Sequence, residues 1–587
     1  MKKILFIASA ILILLSGCEN FLDSELLTEK TTANFPETEK DAQEMVTAIY
    51  AHLLFESPET SSQYYIAQLA GDDCLGGNLS YSNNCATNFL MYSGNLNTFA
   101  GIWDRCYTLI NRANNAINTM ENVKSWSSES ERNRLFGESY FLRAMAYYEL
   151  AQVFGGVPLR TTLESTNLPR ASVDEIYTQI AADLKNAIEM MPAKIYPKGS
   201  DMTGHATKYA AEAMMARVFL FYTGRYEKNE LPNGTTKEEV ISWIDDCVNN
   251  SGHKLVSDQR NIWAYTNDAT EDNTEGFRYQ YVINHNLKWE GNSSDETLFA
   301  NKHNLKSDWT YTWFSNTCAQ FYSPSADNYS NKDSYPFGTG WGAGPVSPAM
   351  VNEWKDWAAK QTYTDGYIWS YKALDPNVAG NVLMDCTMDE GEPEYTVSYR
   401  YYEQTGYFQK KYININSYNE GKIEPFGKQM FPGISSQTSQ QLLQIADLIH
   451  IRFADVLLMQ SELKQDATGL NKVRARSHLA PVAYSLEAIK QERRWELAFE
   501  SIRWWDILRW SGPSLEEAGD ILNKQTGFNI INAATVVPMV KFDYKKRLQA
   551  TQGYWPIPQD EIDISNGVLE QNPGWDASAQ FSDWNNM

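Results

Sequence analysis

Between Leu255 and Gln437 the sequence sets aromatic rings among Asn, Ser and Gly, with Trp289, Trp309, Trp313, Trp341, Trp354, Trp357 and Trp369 among them. A ring offers a flat apolar face to the C–H side of a sugar, while Asn, Asp and Arg hydrogen-bond its hydroxyls. That is the chemistry of a carbohydrate platform. The same rings could instead pack a subdomain without a regular core. A second polar stretch, Gly71–Phe99, reads GDDCLGGNLSYSNNCATNFLMYSGNLNTF and has no apolar periodicity. It is either a hydroxyl-binding loop or an Asx-rich connector. The candidate ligand-binding residues are Asp73, Asn78, Tyr81 and Tyr92 from this loop and Trp289, Trp309, Trp313 and Trp341 from the aromatic region. The loop is acidic enough to raise the question of calcium, but it lacks a DxDxDG spacing.

Carboxylate pairs could serve glycoside hydrolysis, and Glu492, Glu496 and Glu500 recur at i,i+4. Their neighbours argue otherwise. Arg493, Arg494, Arg503 and Arg509 share the stretch, and Glu500–Arg503, Arg503–Asp506 and Asp506–Arg509 stand at i,i+3. Pairing lowers a carboxylate's pKa, the wrong direction for a general acid. Glu496, Glu500, Arg503, Asp506 and Arg509 therefore read as a structural ion-pair network, and no catalytic residue is assigned. No GxSxG, Walker A, GxGxxG or HExxH pattern occurs. The seven histidines form no cluster and no CxxC is present, so the expectation is no metal and no cofactor.

The elements that position these residues are mostly helices. Glu492–Trp510 has helical periodicity with no Pro or Gly and reads as one buried central helix. Glu37–Leu54 and Gly101–Met120 are also periodic. Ser128-x-x-Glu131 is a capping box that opens a helix through Phe154, stopped by Gly155-Gly156-Val157-Pro158. Ser172-x-x-Glu175 opens a helix that ends before Pro192, and His205–Tyr222 stops at Gly224. Helices in pairs with short turns predict a mostly α, tetratricopeptide-like helix-pair scaffold carrying a long irregular insertion of loops and short strands.

The chain opens with Lys2-Lys3, a short apolar run Ile4–Leu15 and Leu15-Ser16-Gly17-Cys18. That run is shorter than the roughly 20 apolar residues of a spanning helix. Its close fits a lipoprotein cleavage box, with Cys18 as the lipidated residue. A formal net charge of −23 argues against nucleic acid as a partner. Export permits disulfides, and Cys74–Cys85 is the most plausible local pair, with free buried thiols the alternative.

Several of these stretches resemble one known family. Phe141-Leu142-Arg143-Ala144 with Tyr147, Leu150 and Phe154–Pro158 resembles its N-terminal motif, and Arg170-x-Ser172-x-x-Glu175-x-Tyr177 and Ala210–Leu220 also match. Arg452-x-Ala454-Asp455-Val456-x-Leu458, Leu470-Asn471-x-Val473-Arg474-x-Arg476, Glu492–Trp510, Tyr554–Gln559 with Glu561 and Ile562, and Gln571–Trp575 follow in order. The set resembles the SusD/RagB lipoproteins, partners of outer-membrane nutrient importers. The resemblance implies a SusD-like α–α superhelix that works without catalysis. Such a protein is lipid-anchored at the outer membrane and faces the exterior. It captures oligosaccharides and delivers them to a SusC-like TonB-dependent transporter. It also implies that the loop at 71–99 and loops of the variable middle meet to make the ligand site. The implied divisions are a signal peptide 1–17, a lipidated arm 18–36, an N-terminal helical region 37–254, a variable region 255–437 and a C-terminal region 438–587. A peptide-binding uptake lipoprotein of the same architecture is the alternative. A lipid-anchored glycoside hydrolase and a purely docking surface protein are further readings.

Overall fold

The computed structural model describes residues 35–54, 62–75, 96–164, 167–267, 280–303, 315–323, 336–338, 340–361, 370–374, 395–396, 405–419, 422–425, 443–525, 528–532, 535–538 and 543–575. Seven helices open the order: α1 Glu39–Tyr50, α2 Gln63–Ala70, α3 Ala100–Thr119, α4 Glu129–Phe154, α5 Val173–Met190, α6 Lys208–Tyr226 and α7 Lys237–Asn250. From α3 to α7 each helix packs on the next. This is the mostly α, helix-pair scaffold that the sequence predicts.

Caps explain most of the boundaries. Ser172 and Glu175 form the full capping box of α5, with Glu175 N donating to Ser172 Oγ at 3.2 Å and Ser172 N to Glu175 Oε2 at 2.8 Å. The box at α4 forms by half. Ser128 Oγ accepts from Glu131 N at 3.1 Å, but the Glu131 carboxylate turns to Arg134 Nε at 2.9 Å. Gly155 ends α4 at φ 74. Gly224 does not end α6, which runs on to Tyr226. Its role is close approach, since a Cβ there would stand 2.6 Å from the Arg509 carbonyl oxygen.

The middle of the chain supplies α8 Gln280–Asn284, α9 Thr317–Tyr322 and α10 Pro348–Ala358, with the short strands β1 Thr297–Asn301, β2 Ser370–Leu374, β3 Tyr395–Thr396, β4 Tyr407–Gln409, β5 Asn416–Asn419 and β6 Lys422–Pro425. β7, Leu448–Arg452, pairs antiparallel with β1 and ties the middle to the C-terminal helices. These are α11 Phe453–Lys464, α12 Thr468–Arg476, α13 Leu486–Glu496, α14 Arg503–Ser511, α15 Glu516–Asn523, α16 Tyr544–Thr551 and α17 Gln559–Ile564, with the hairpin β8 Asn529–Asn532 and β9 Thr535–Pro538.

The single central helix expected over 492–510 is two helices. α13 stops at Glu496 and α14 begins at Arg503. Between them Phe499 (φ 63) and Ser501 (φ 59) adopt left-handed conformations that interrupt a helix. The break redirects the charges. Asp506 meets Arg509 at 2.8 Å as the spacing predicts. Glu500 instead accepts from Arg452 Nε at 2.6 Å and Lys411 Nζ at 2.7 Å, and Arg503 pairs with Asp72 at 2.7 Å. Arg452, fully buried, also reaches Glu296 at 2.7 Å and Glu496. Burial opposes ionisation of Glu496, but Arg476 and Arg452 hold it down at about 2.

Cys74 is a free, buried thiol that accepts from Gln68 Nε2 at 3.2 Å, so the local Cys74–Cys85 disulfide is not formed. Cys106, Cys247 and Cys318 are buried and form no disulfide either. Cys85, and Cys18 with the segment preceding it, lie outside the described residues. Among the described residues no helix is long and apolar enough to cross a membrane.

Candidate functional site

α2 ends at Gly71, and the chain then runs extended beside the segment that leads into α10. Leu75 N donates to Pro345 O at 2.9 Å, and Ser347 N to Asp73 O at 2.8 Å. Cys74 and Val346 form an antiparallel bridge between them. The start of the polar loop and the aromatic middle are thus joined edge to edge, although some 270 residues separate them in sequence.

Pro348 sits at the first position of α10, where its missing N–H costs nothing. The helix buries Met350, Val351 and Trp354. Trp357, one turn on, is only half-buried. Its ring lies 5.3 Å from Trp354 and 5.6 Å from Trp495, which fix its orientation from behind. Arg494 of α13 crosses beneath. It donates to Asp72 at 3.0 Å, to Asp73 and to Glu353 at 3.3 Å. Its buried Nε has no acceptor among the described residues.

Above this floor lies a groove of ≈ 990 Å³. Trp357, Trp510 and Phe528 supply its rings, and Asn352, Asp356, Lys360, Gln491 and Gln525 are among its polar walls. Trp510 is held between cations, with Arg509 4.6 Å and Lys490 5.5 Å from its centroid, and its Nε1 donates to Glu462 at 3.2 Å. Burial would raise Asp72, but Arg494 and Arg503 outweigh it and hold the carboxyl at about 2. Asp73, buried beside Asp72, is pushed up by burial while Arg494 opposes the rise. The floor is therefore a charge cluster locked on itself. The walls present a half-exposed ring beside amides, carboxylates and ammonium groups, which can stack on and hydrogen-bond a polyhydroxylated ligand.

The eight candidate residues are scattered across this picture. Asp73 lies under the groove floor, where Arg494 and the Phe499 N–H (3.4 Å) engage its carboxylate. Trp289 is half-buried elsewhere and donates from Nε1 to Ile262 O at 3.1 Å. Trp341 packs edge-on against Phe321 with centroids 4.7 Å apart. Neither tryptophan lines the groove. Asn78, Tyr81, Tyr92, Trp309 and Trp313 lie outside the described residues. Of the groove's rings, Trp357 stands out in the sequence as part of the aromatic run. Trp510 and Phe528 do not, because one closes a charged helix and the other precedes a hairpin. Glu496, Glu500, Arg503, Asp506 and Arg509 each form at least one ion pair in the core.

Comparison with known proteins accords with this architecture. Residues 20–220 match a family described as SusD-like, starch-binding and associating with the outer membrane. Residues 259–575 match the SusD family. SusD-like protein P38 of Formosa agariphila is 24% identical over 570 residues, covering 89% of this chain and 94% of its own. A SusD-like protein of Bacteroides ovatus is 22% identical over 527 residues, 87% of this chain and 82% of its own. Among solved structures, a laminarin-binding SusD-like protein superposes with a TM-score of 0.63 at 21% identity, covering 92% of this chain and all of that one. Surface glycan-binding protein A from Bacteroides thetaiotaomicron, solved with laminarihexaose, gives 0.63 at 18% identity, covering 91% and 99%. At such identities these structures establish the shared fold. The matched segment 259–575 alone is more than half of the 587 residues, and the chain belongs to the SusD family.

Proposed function

We propose that this chain is a cell-surface lipoprotein, anchored through Cys18, that binds oligosaccharides without cleaving them and passes them to a SusC-like TonB-dependent outer-membrane transporter. The observation that carries this reading is the joining of segment 71–75 to segment 345–358, which sets the half-exposed Trp357 over a groove with polar walls. A ring fixed from behind by two others suits the apolar face of a pyranose, and the amides of Asn352 and Gln491 suit its hydroxyls. The laminarin-binding and laminarihexaose-bound neighbours support an oligosaccharide as the ligand. Asn78, Tyr81, Tyr92, Trp309 and Trp313 are carried as further proposed ligand contacts on the chemistry of their side chains.

The test is calorimetric titration of the chain lacking residues 1–18 with laminarihexaose and a panel of host and plant oligosaccharides, followed by analysis for shortened products. Saturable binding with intact ligand is expected for one glycan class. Trp357→Ala is expected to weaken it about tenfold or more, as for a central aromatic anchor. Unchanged affinity in Trp357→Ala would remove the groove from the proposal, and shortened products would replace binding with catalysis.

A further inference from the structure

A second groove, of ≈ 790 Å³, shares no lining residue with the first. Its walls are α3, residues 158–164 and 167–168, and α17 with the turn that follows. Asp104 of α3 and Glu561 of α17 both line it. Neither carboxylate has an ion-pair partner among the described residues. Burial raises both, and the charge of Asp104, on the same groove, adds to the rise at Glu561. Arg160, which lines the same groove, offsets part of that rise. The same groove carries Leu163 and Ile564, 48% and 68% exposed, two of the four large apolar side chains most open to solvent among the described residues.

The chemistry here differs from that of the first groove. Trp103 is buried, and the Tyr107 hydroxyl is committed to Pro158 O at 2.7 Å. The wall offers like-charged carboxylates and aliphatic carbon rather than an open ring for a sugar. Two carboxylates without ion-pair partners on one groove are stabilised by a cation brought to them, and exposed aliphatic side chains by an apolar partner. A bare metal ion answers only the first need, and among the described residues no group of three or more acidic, histidine or cysteine side chains is placed to hold one.

We propose that this groove docks a basic, aliphatic segment of a partner polypeptide, with a Lys or Arg head between Asp104 and Glu561 and a large apolar side chain against Leu163 and Ile564. Charge complementarity selects the partner. The chain's formal net charge of −23 draws a basic segment in, and the two carboxylates fix its register.

The test uses the full chain in detergent and three fluorescently labelled peptides: an alternating Leu-Lys hexamer, a Leu-Glu hexamer and a Gly-Lys hexamer. Anisotropy should show saturable binding of the Leu-Lys peptide, with the other two at least tenfold weaker. The double variant Asp104→Asn/Glu561→Gln should lose at least tenfold for that peptide, and Ile564→Ser severalfold. Both changes sit at least partly exposed, and unchanged far-ultraviolet circular dichroism would confirm folding. Trp357→Ala should leave peptide affinity unchanged. Absence of saturable Leu-Lys binding, equal affinity for the Leu-Glu peptide or an indifferent double variant would overturn the proposal. So would loss of peptide binding in Trp357→Ala, which would assign the peptide to the first groove.

Discussion

Arg452 illustrates what a buried charge demands of its neighbours. Its guanidinium meets Glu296, Glu496 and Glu500, each fully or almost fully buried. Replacing both sides of such a cluster by apolar groups can be neutral, but removing one partner leaves the others buried and under-paired. Arg452→Met leaves Arg476 and Lys411 to hold three carboxylates. It is expected to cost about 3–5 kcal/mol in urea unfolding. Glu212 of α6 is the opposite case. Burial pushes its carboxyl up to about 8, with Lys208, 3.4 Å away, opposing and Asp246 adding to the rise. Its ordinary value is 4.5. Between those two values the folded chain holds a proton that the unfolded chain has released, so stability falls as pH rises through that window. Glu212→Gln removes this dependence. The urea midpoints of wild type and variant should differ more at pH 8.5 than at pH 5, with the variant gaining at the higher pH. Equal differences at both pH values would refute this.

The helical elements with strong local signals are the ones that the sequence discloses. Ser172 with Glu175, and Ser128 with the glycine at 155, mark ends through groups only three residues apart or through a backbone need that glycine meets. The break between α13 and α14 is invisible locally, because Phe499 and Ser501 carry no turn signature. Their N–H groups are taken by Asp73 at 3.4 Å and Gln68 at 3.3 Å, more than 400 residues earlier in the chain. Tertiary partners override a helical pattern there. The same break removes the Glu500–Arg503 pair read from i,i+3 spacing; Arg503 and Asp506 share α14, but Arg503 turns to Asp72 while Asp506 is taken by Arg493 and Arg509. Gly224 reverses the error. It looks like a stop signal and is instead the point where α14 crosses α6. Gly224→Ala sets a methyl against the Arg509 carbonyl and is expected to cost about 1–3 kcal/mol. A loss below a few tenths of a kcal/mol in the urea midpoint would show that the crossing yields.

At the scale of the whole molecule, the family and the helical scaffold were legible because their motifs recur in order along the chain. The groove was legible only in part. Composition announced an aromatic, polar middle, and Trp357 belongs to it. Arg494 and Trp510 come from helices that read as pure scaffold, and Phe528 from a turn. Their part in the groove depends on packing between distant segments. Asp73 shows the converse, since a residue with hydroxyl-binding chemistry is enclosed beneath the floor by Arg494.

The pairing of Asp72 with Arg494 spans 422 positions of sequence. A chain still being made holds the first wall long before it holds the clamp. The ring of Trp357 has only Trp354 behind it until Trp495 arrives, and the acids at 72 and 73 have no counter-ion until Arg494 does. Nascent or carboxy-terminally clipped forms that end before residue 487 therefore lack one wall of the groove. On the proposed function, ligand capture then reports completed synthesis.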